Sequence, residues 1–275
     1  MIKRILVDLS DVRRGSTIAR YATELGCQQQ AEVTVVREVT ADVATPEGPL
    51  LTFAAAGWAR QLRRQSVIDS QEAAAAAVEE LRVDCTAKGV PFQIVEREPE
   101  AFRTIVERFQ FFDLFVCGTN LCLDANHLET GSEGLIQLVE QGVRPILAVS
   151  DEHRPFDRVL VALSGDADSA QTLKQFIQSG ICPTAELEIV TFAQDERAQR
   201  ILSESMRYCR RHGVEPVQQV LKGPMSEELL PHAVESGADL IVLGNSDHSR
   251  LARWFFGGAV MEIIRESDRS LFLSQ

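Results

Sequence analysis

Lysine is scarce in this chain. Of its 28 basic residues only Lys3, Lys88, Lys174 and Lys222 are lysines, leaving 24 arginines. No GxxxxGK[ST] segment occurs, which excludes a phosphate loop built on a lysine, and neither GxGxxG nor HExxH is present. No apolar run reaches the ~18 to 20 residues that a membrane-spanning helix needs, so no membrane role is expected. The first apolar stretch, Ile5-Leu6-Val7, is cut by Asp8 and is too short for a signal peptide, so the expected location is cytoplasmic. The six cysteines (Cys27, Cys85, Cys117, Cys122, Cys182, Cys209) form no CxxC pair, and reduced thiols are expected. The five histidines stand alone, with no second metal ligand at a useful spacing. A formal net charge of -12 repels phosphate backbones and argues against a nucleic-acid partner.

What is present is an internal repeat with a whole-domain period. Ile5-Leu6-Val7-Asp8-Leu9-Ser10 has its counterpart in Val159-Leu160-Val161-Ala162-Leu163-Ser164, at an offset of 154. Asp113-Leu114-Phe115-Val116-Cys117-Gly118 matches Asp239-Leu240-Ile241-Val242-Leu243-Gly244 at an offset of 126. The first copy therefore carries 154 − 126 = 28 extra residues, which fall within about 40–88. Short runs rich in Val, Ile and Leu read as strands buried on both faces. They lie at 2–9, 31–38, 90–97, 113–118 and 145–149, then at 157–163, 185–192, 214–221, 239–244 and 270–274. Helical patterns separate them. The expected fold class is α/β: two tandem, doubly wound, five-stranded parallel sheets, as domains 1–150 and 156–275. The segment from Ser150 to Pro155 serves as linker. Within 40–88, the run Ala73 to Ala77 has high helix propensity but little to bury, which predicts a protruding or partner-facing helix and a route to a homodimer. The arginine triplets Arg60/Arg63/Arg64 and Arg207/Arg210/Arg211 read as solvated helix faces.

In a doubly wound sheet ligands bind beyond the carboxyl ends of the strands, where the strand order reverses. The loops after the fourth strand of each copy are therefore informative. The first reads Gly118-Thr119-Asn120-Leu121, nine residues, then Gly131-Ser132; the second reads Gly244-Asn245-Ser246-Asp247, nine residues, then Gly257-Gly258. Glycine admits a close approach of backbone to ligand, and free N–H groups at a helix start favour phosphate. The plainer reading is that Gly118 and Gly244 end strands while Gly131 and Gly257 permit tight packing.

This pattern resembles the universal stress protein family, over nearly the whole of both copies. The resemblance implies a Rossmann-like fold of the adenine nucleotide alpha hydrolase type. It also implies adenine nucleotide, ATP with Mg2+, held by Gly-x2-Gly-x9-Gly-Ser/Thr and by an Asp closing strand one. The cofactor-binding candidates that follow are Ser10, Gly118, Thr119, Gly131 and Ser132 in the first copy, and Ser164, Gly244, Asn245, Gly257 and Gly258 in the second. The departures are specific. The family's second Gly is Leu121 or Asp247, its Ser becomes Gly258 in the second copy, and its strand-one Asp aligns with Ser10 and Ser164. A leucine in the left-handed region costs about 1–2 kcal/mol, so the loop at Leu121 is expected to take another path. The first copy keeps the better phosphate end. With no general base and no loop lysine in sight, a regulatory binding protein ranks ahead of a slow ATP hydrolase, and an assembly scaffold without nucleotide is the third reading. The last strand of each copy is an apolar edge that needs covering, and the two are expected to pair across a pseudo-twofold axis.

Overall fold

The computed structural model describes residues 1–11, 13–38, 72–97, 101–121, 132–143, 145–164, 167–192, 195–244 and 258–274. In the first half β1 (Arg4–Asp8), α1 (Gly15–Gln29) and β2 (Glu32–Glu38) are followed by a helix α2 at 72–87 and by β3 (Phe92–Arg97). Then come α3 (Ala101–Phe109), β4 (Leu114–Gly118), α4 (Glu133–Glu140) and β5 (Ile146–Val149). The second half repeats the series as β6 (Arg158–Leu163), α5 (Ala167–Ser179), β7 (Glu186–Thr191), α6 (Glu196–Arg211) and β8 (Val217–Val220). It ends with α7 (Met225–Glu235), β9 (Leu240–Gly244), α8 (Gly258–Glu266) and β10 (Ser270–Ser274).

The strands lie in the order β3-β2-β1-β4-β5-β10-β9-β6-β7-β8. Within each half all pairs are parallel. The halves meet through an antiparallel pair in which Leu271, Phe272 and Leu273 face Ala148, Leu147 and Ile146. The two five-stranded sheets are thus one ten-stranded sheet. β5 and β10 are buried along their whole length, which requires cover on both faces. Strand periodicity then divides their side chains: Leu147 and Phe272 enter one core layer, Ile146, Leu271 and Leu273 the other. The first layer holds the apolar faces of α1, α2, α5 and α6, the second those of α3, α4, α7 and α8.

The repeated motif has a structural reason at its first position. Asp113 Oδ2 accepts hydrogen bonds from the backbone N–H groups of Lys3 and Arg4, at 2.8 and 3.0 Å. Asp239 Oδ2 does the same for Asp157 and Arg158, at 3.2 and 3.0 Å. Each carboxylate, one residue before the fourth strand, ties down the start of the first strand in its half.

The expectation of a protruding helix is corrected for the described part of 40–88. α2 buries Ala77, Val78, Leu81 and Cys85 in the first core layer, as the crossover between β2 and β3. Ala77 is small because α1 is close: a Cβ on Gly15 would lie 2.9 Å from Ala77 Cβ. Residues 39–71 lie outside the described residues.

The linker is pinned rather than loose. Tyr21 Oη donates to the Arg154 carbonyl at 2.7 Å and accepts from the Arg154 N–H at 2.9 Å. Its ring stacks on Phe156 at 4.8 Å and lies 4.3 Å from the ring of His153, which in turn meets Glu24 at 2.8 Å.

Candidate functional site

The order 3-2-1-4-5 in the first half puts the reversal point between β1 and β4, beyond their carboxyl ends. β1 ends at Asp8, which is buried; Asp8 Oδ1 accepts from the Ser10 N–H at 2.8 Å and from the Ser10 hydroxyl. Ser10, aligned with the family's strand-one Asp, is therefore engaged with the carboxylate two residues before it. Asp11 follows, also buried, and takes the space above Gly118: a Cβ there would sit 2.3 Å from Asp11 Oδ2 and 2.8 Å from Asp11 Cβ. Only glycine fits that position, and its own chain is the reason.

Asp11 Oδ2 accepts from Arg14 Nη1 at 2.6 Å, and Arg14 Nη2 pairs with Asp151 of the linker. Arg14 is itself buried, and its Nε has no hydrogen-bond partner among the described residues. A buried guanidinium N–H without an acceptor is costly, on the order of 1–3 kcal/mol or more, and invites an oxygen. Burial, followed by the nearby charges of Asp8 and Asp11, pushes the Cys117 thiol well above its ordinary range. That thiol is no nucleophile at neutral pH.

After β4, Thr119 is buried and its N–H reaches the Val149 carbonyl at 3.3 Å. Leu121 points inward and joins the second core layer. Among the described residues Gln30 is the one non-glycine in the left-handed region, so Leu121 has ordinary backbone. Ser132 caps α4 by position, with φ -86° and ψ 11°; it is buried, and its side chain makes no capping hydrogen bond. The N–H groups of that first turn are therefore not consumed by the serine. Gly131 lies outside the described residues.

The second half is built differently at the same place. Ser164 is exposed at the end of β6. Gly244 closes β9 against α5: a Cβ on it would lie 2.5 Å from Thr172 Oγ1 and 3.1 Å from Ser169 Cα. Thr172 Oγ1 in turn donates to the Ser274 carbonyl at 3.3 Å. Helix α5 thus packs onto the end of β9, and among the described residues no arginine stands where Arg14 stands in the first half. Gly258 opens α8 and is exposed, with no described residue within 4 Å of a Cβ placed on it. Asn245 and Gly257 lie outside the described residues. Among the described residues no cluster of three His, Cys, Asp or Glu side chains suits a metal by itself, and no helix is long and apolar enough to cross a membrane.

Sequence reasoning missed Asp11, Arg14 and Asp151. The i, i+3 spacing of Asp11 and Arg14 just beyond strand one was a usable signal. The partnership with Asp151, 137 residues further on, had none.

A doubly wound α/β sheet with buried Asp8, Asp11 and Arg14 gathered at its reversal point defines a Rossmann-like fold. Residues 183–273 match the sequence model of the Universal stress protein family. A universal stress protein of Synechocystis is 23% identical over 144 residues, which cover 51% of this chain and 49% of that protein. The match thus spans about half the length of that curated relative. The structure of a universal stress protein from Archaeoglobus fulgidus is similar over 99% of this chain and 98% of that one, with TM-score 0.66 and 18% identity. A functionally unknown protein from Pseudomonas aeruginosa PAO1 is similar over 99% and 92%, with TM-score 0.59 and 14% identity. The family's sequence pattern is thus matched within the second half of the chain, and the fold of both halves is similar to that of a solved universal stress protein.

Proposed function

We propose that the chain is a regulatory, stress-response binding protein that takes adenine nucleotide, as ATP with Mg2+, in the crevice of its first half. In this reading residues 1–150 and 156–275 are two universal stress protein-like domains paired within one chain. The observation that carries it is Arg14, a buried guanidinium at the reversal point with an N–H that has no partner among the described residues. A phosphate oxygen satisfies such a donor, and charge-assisted hydrogen bonds of this kind are among the stronger ones. The first turn of α4, headed by Ser132, adds N–H groups and a positive dipole end.

Asp8 and Asp11 set the condition. A carboxylate about 4 Å from a phosphate charge costs roughly 1 kcal/mol in water and about 4 near a protein surface. Mg2+ reverses that sign, because it is held by one or two carboxylates together with phosphate oxygens. The residues of the first half therefore suit a nucleotide that arrives with its metal. The second half, with α5 packed onto Gly244 and, among the described residues, no arginine at the corresponding place, suits none. A ligand that engages Arg14 also competes with Asp151 for it, which couples the crevice to the linker between the halves.

Titration calorimetry tests the reading. ATP with magnesium gives saturable heat, ATP with chelator gives little, and Arg14→Ala weakens binding at least about tenfold, the loss of a charge-assisted hydrogen bond. Absence of heat with ATP, ADP and AMP sinks the nucleotide reading and leaves an assembly surface. Phosphate release that persists through repurification replaces it with the hydrolase.

A further inference from the structure

We propose that the groove between α5 and α6 docks an acidic, amphipathic helix of a partner protein. This groove lies on the outer face of the first core layer of the second half, away from the reversal point, and encloses about 490 Å³. Its floor is apolar, formed by Ala170 and Leu173 of α5 with Ile201 and Tyr208 of α6. Its rim is cationic: Lys174 on one side and Arg200, Arg207 and Arg211 on the other, against the single acid Glu204.

Arg207 spends its charge on Glu204 at 3.4 Å, in an exposed pair. Among the described residues Lys174, Arg200 and Arg211 have no ion pair. The lining thus carries four cations and one anion, a net +3, on a protein whose net charge is -12. Such a patch is the place where an anionic partner is steered and oriented. The triplet Arg207/Arg210/Arg211, which reads as a solvated face in the sequence, sends two of its members to this rim.

In the first half the described parts of the equivalent helices approach each other closely. There α1 and α2 close on each other, with Gly15 against Ala77 and the Ser16 hydroxyl donating to Glu80 at 2.7 Å.

The shape selects the occupant. From Arg200 to Arg211 the groove follows α6 for about 16 Å, or roughly three helical turns. A three-turn helix laid along it puts apolar residues on the floor and carboxylates against the rim, as in helix-in-groove recognition. A flat anionic bilayer touches the rim but not the floor beneath it, and a small anion leaves most of the length unfilled.

The probe is a dye-labelled peptide of alternating glutamate and leucine patches at helical spacing, titrated into the full chain and followed by fluorescence anisotropy. The expected result is saturable binding that weakens as salt is raised and is unchanged by ATP. The double variant Arg207→Glu/Arg211→Glu weakens it at least about tenfold, since two favourable rim charges become repulsive. Both arginines are exposed, and circular dichroism checks that the fold persists. Ala170→Phe, which fills the floor without changing charge, also weakens binding. No binding, equal binding by the double variant, or equal binding of a scrambled peptide with the same composition overturns the proposal. Co-flotation of the wild type, but not the double variant, with phosphatidylserine vesicles in place of peptide binding overturns it in favour of a membrane surface.

Discussion

The strand-four glycines do not need a ligand to explain them. Gly118 is required by Asp11 and Gly244 by Ser169 and Thr172, so the glycine that heads each loop follows from packing. Gly118→Ala and Gly244→Ala are each expected to destabilise by about 1–3 kcal/mol, measured by urea denaturation. Tolerance of either alanine contradicts the packing account. The cysteines make a second residue-scale prediction. Burial raises Cys85, raises Cys182 to about 12 and Cys209 to about 11, and raises Cys117 well above its ordinary value, whereas Cys27 is exposed. Alkylation at pH 8, followed by peptide mass spectrometry, should modify Cys27 first among these five. Early labelling of Cys117 or Cys209 contradicts their burial. What the sequence left hidden at this scale was the sign of the crevice. Ser10 drew attention by alignment, yet the charged groups are Asp8, Asp11 and Arg14, and their burial follows from a turn whose path no periodicity encodes.

At the scale of elements, the inner strands were legible because continuous Val, Ile and Leu runs have few other uses in a chain with so many helical patterns, whereas the edge strands β3 and β8 (Phe-Gln-Ile-Val-Glu-Arg and Val-Gln-Gln-Val) are not buried on both faces as expected. α2 was misread for an equally physical reason. Alanine at 73–77 looks like a helix with nothing to bury, but a small side chain is what a close α1–α2 contact demands at Ala77. The linker shows the same limit, since its anchoring by Tyr21, Glu24 and Thr17 joins residues more than 120 positions apart. Burial pushes the Glu24 carboxyl up, but hydrogen bonds from His153 and Arg20 outweigh it and leave it below its ordinary value. A lowered folded value means that this contribution to stability is present above the ordinary carboxylate range and is lost as pH falls through the lowered one. His153→Ala should therefore shift the acid-unfolding midpoint upward slightly, as read by tryptophan fluorescence or circular dichroism. An unchanged midpoint contradicts the role of that contact. The α6 start offers a cleaner case: Asp195 accepts from the Ala198 N–H at 2.7 Å, and Asp195→Ala should cost about 1 kcal/mol.

At the scale of the molecule, the two similar halves form one sheet whose two reversal points are built differently. Both core layers run through the β5–β10 joint, where Phe272 is fully buried and meets Phe176 edge-on at 5.3 Å. Phe272→Ala is expected to cost roughly 3–5 kcal/mol. Because the joint is shared, thermal unfolding should stay a single transition. Separate melting of the two halves contradicts the continuous core. The inequality of the crevices is the central functional claim, and stoichiometry reads it directly. Calorimetric titration of the full chain with ATP and magnesium should give one site per chain, abolished by Ser132→Glu at the head of α4 and untouched by Gly258→Glu at the head of α8. Two sites per chain, no site, or loss of binding in the Gly258→Glu variant contradicts it.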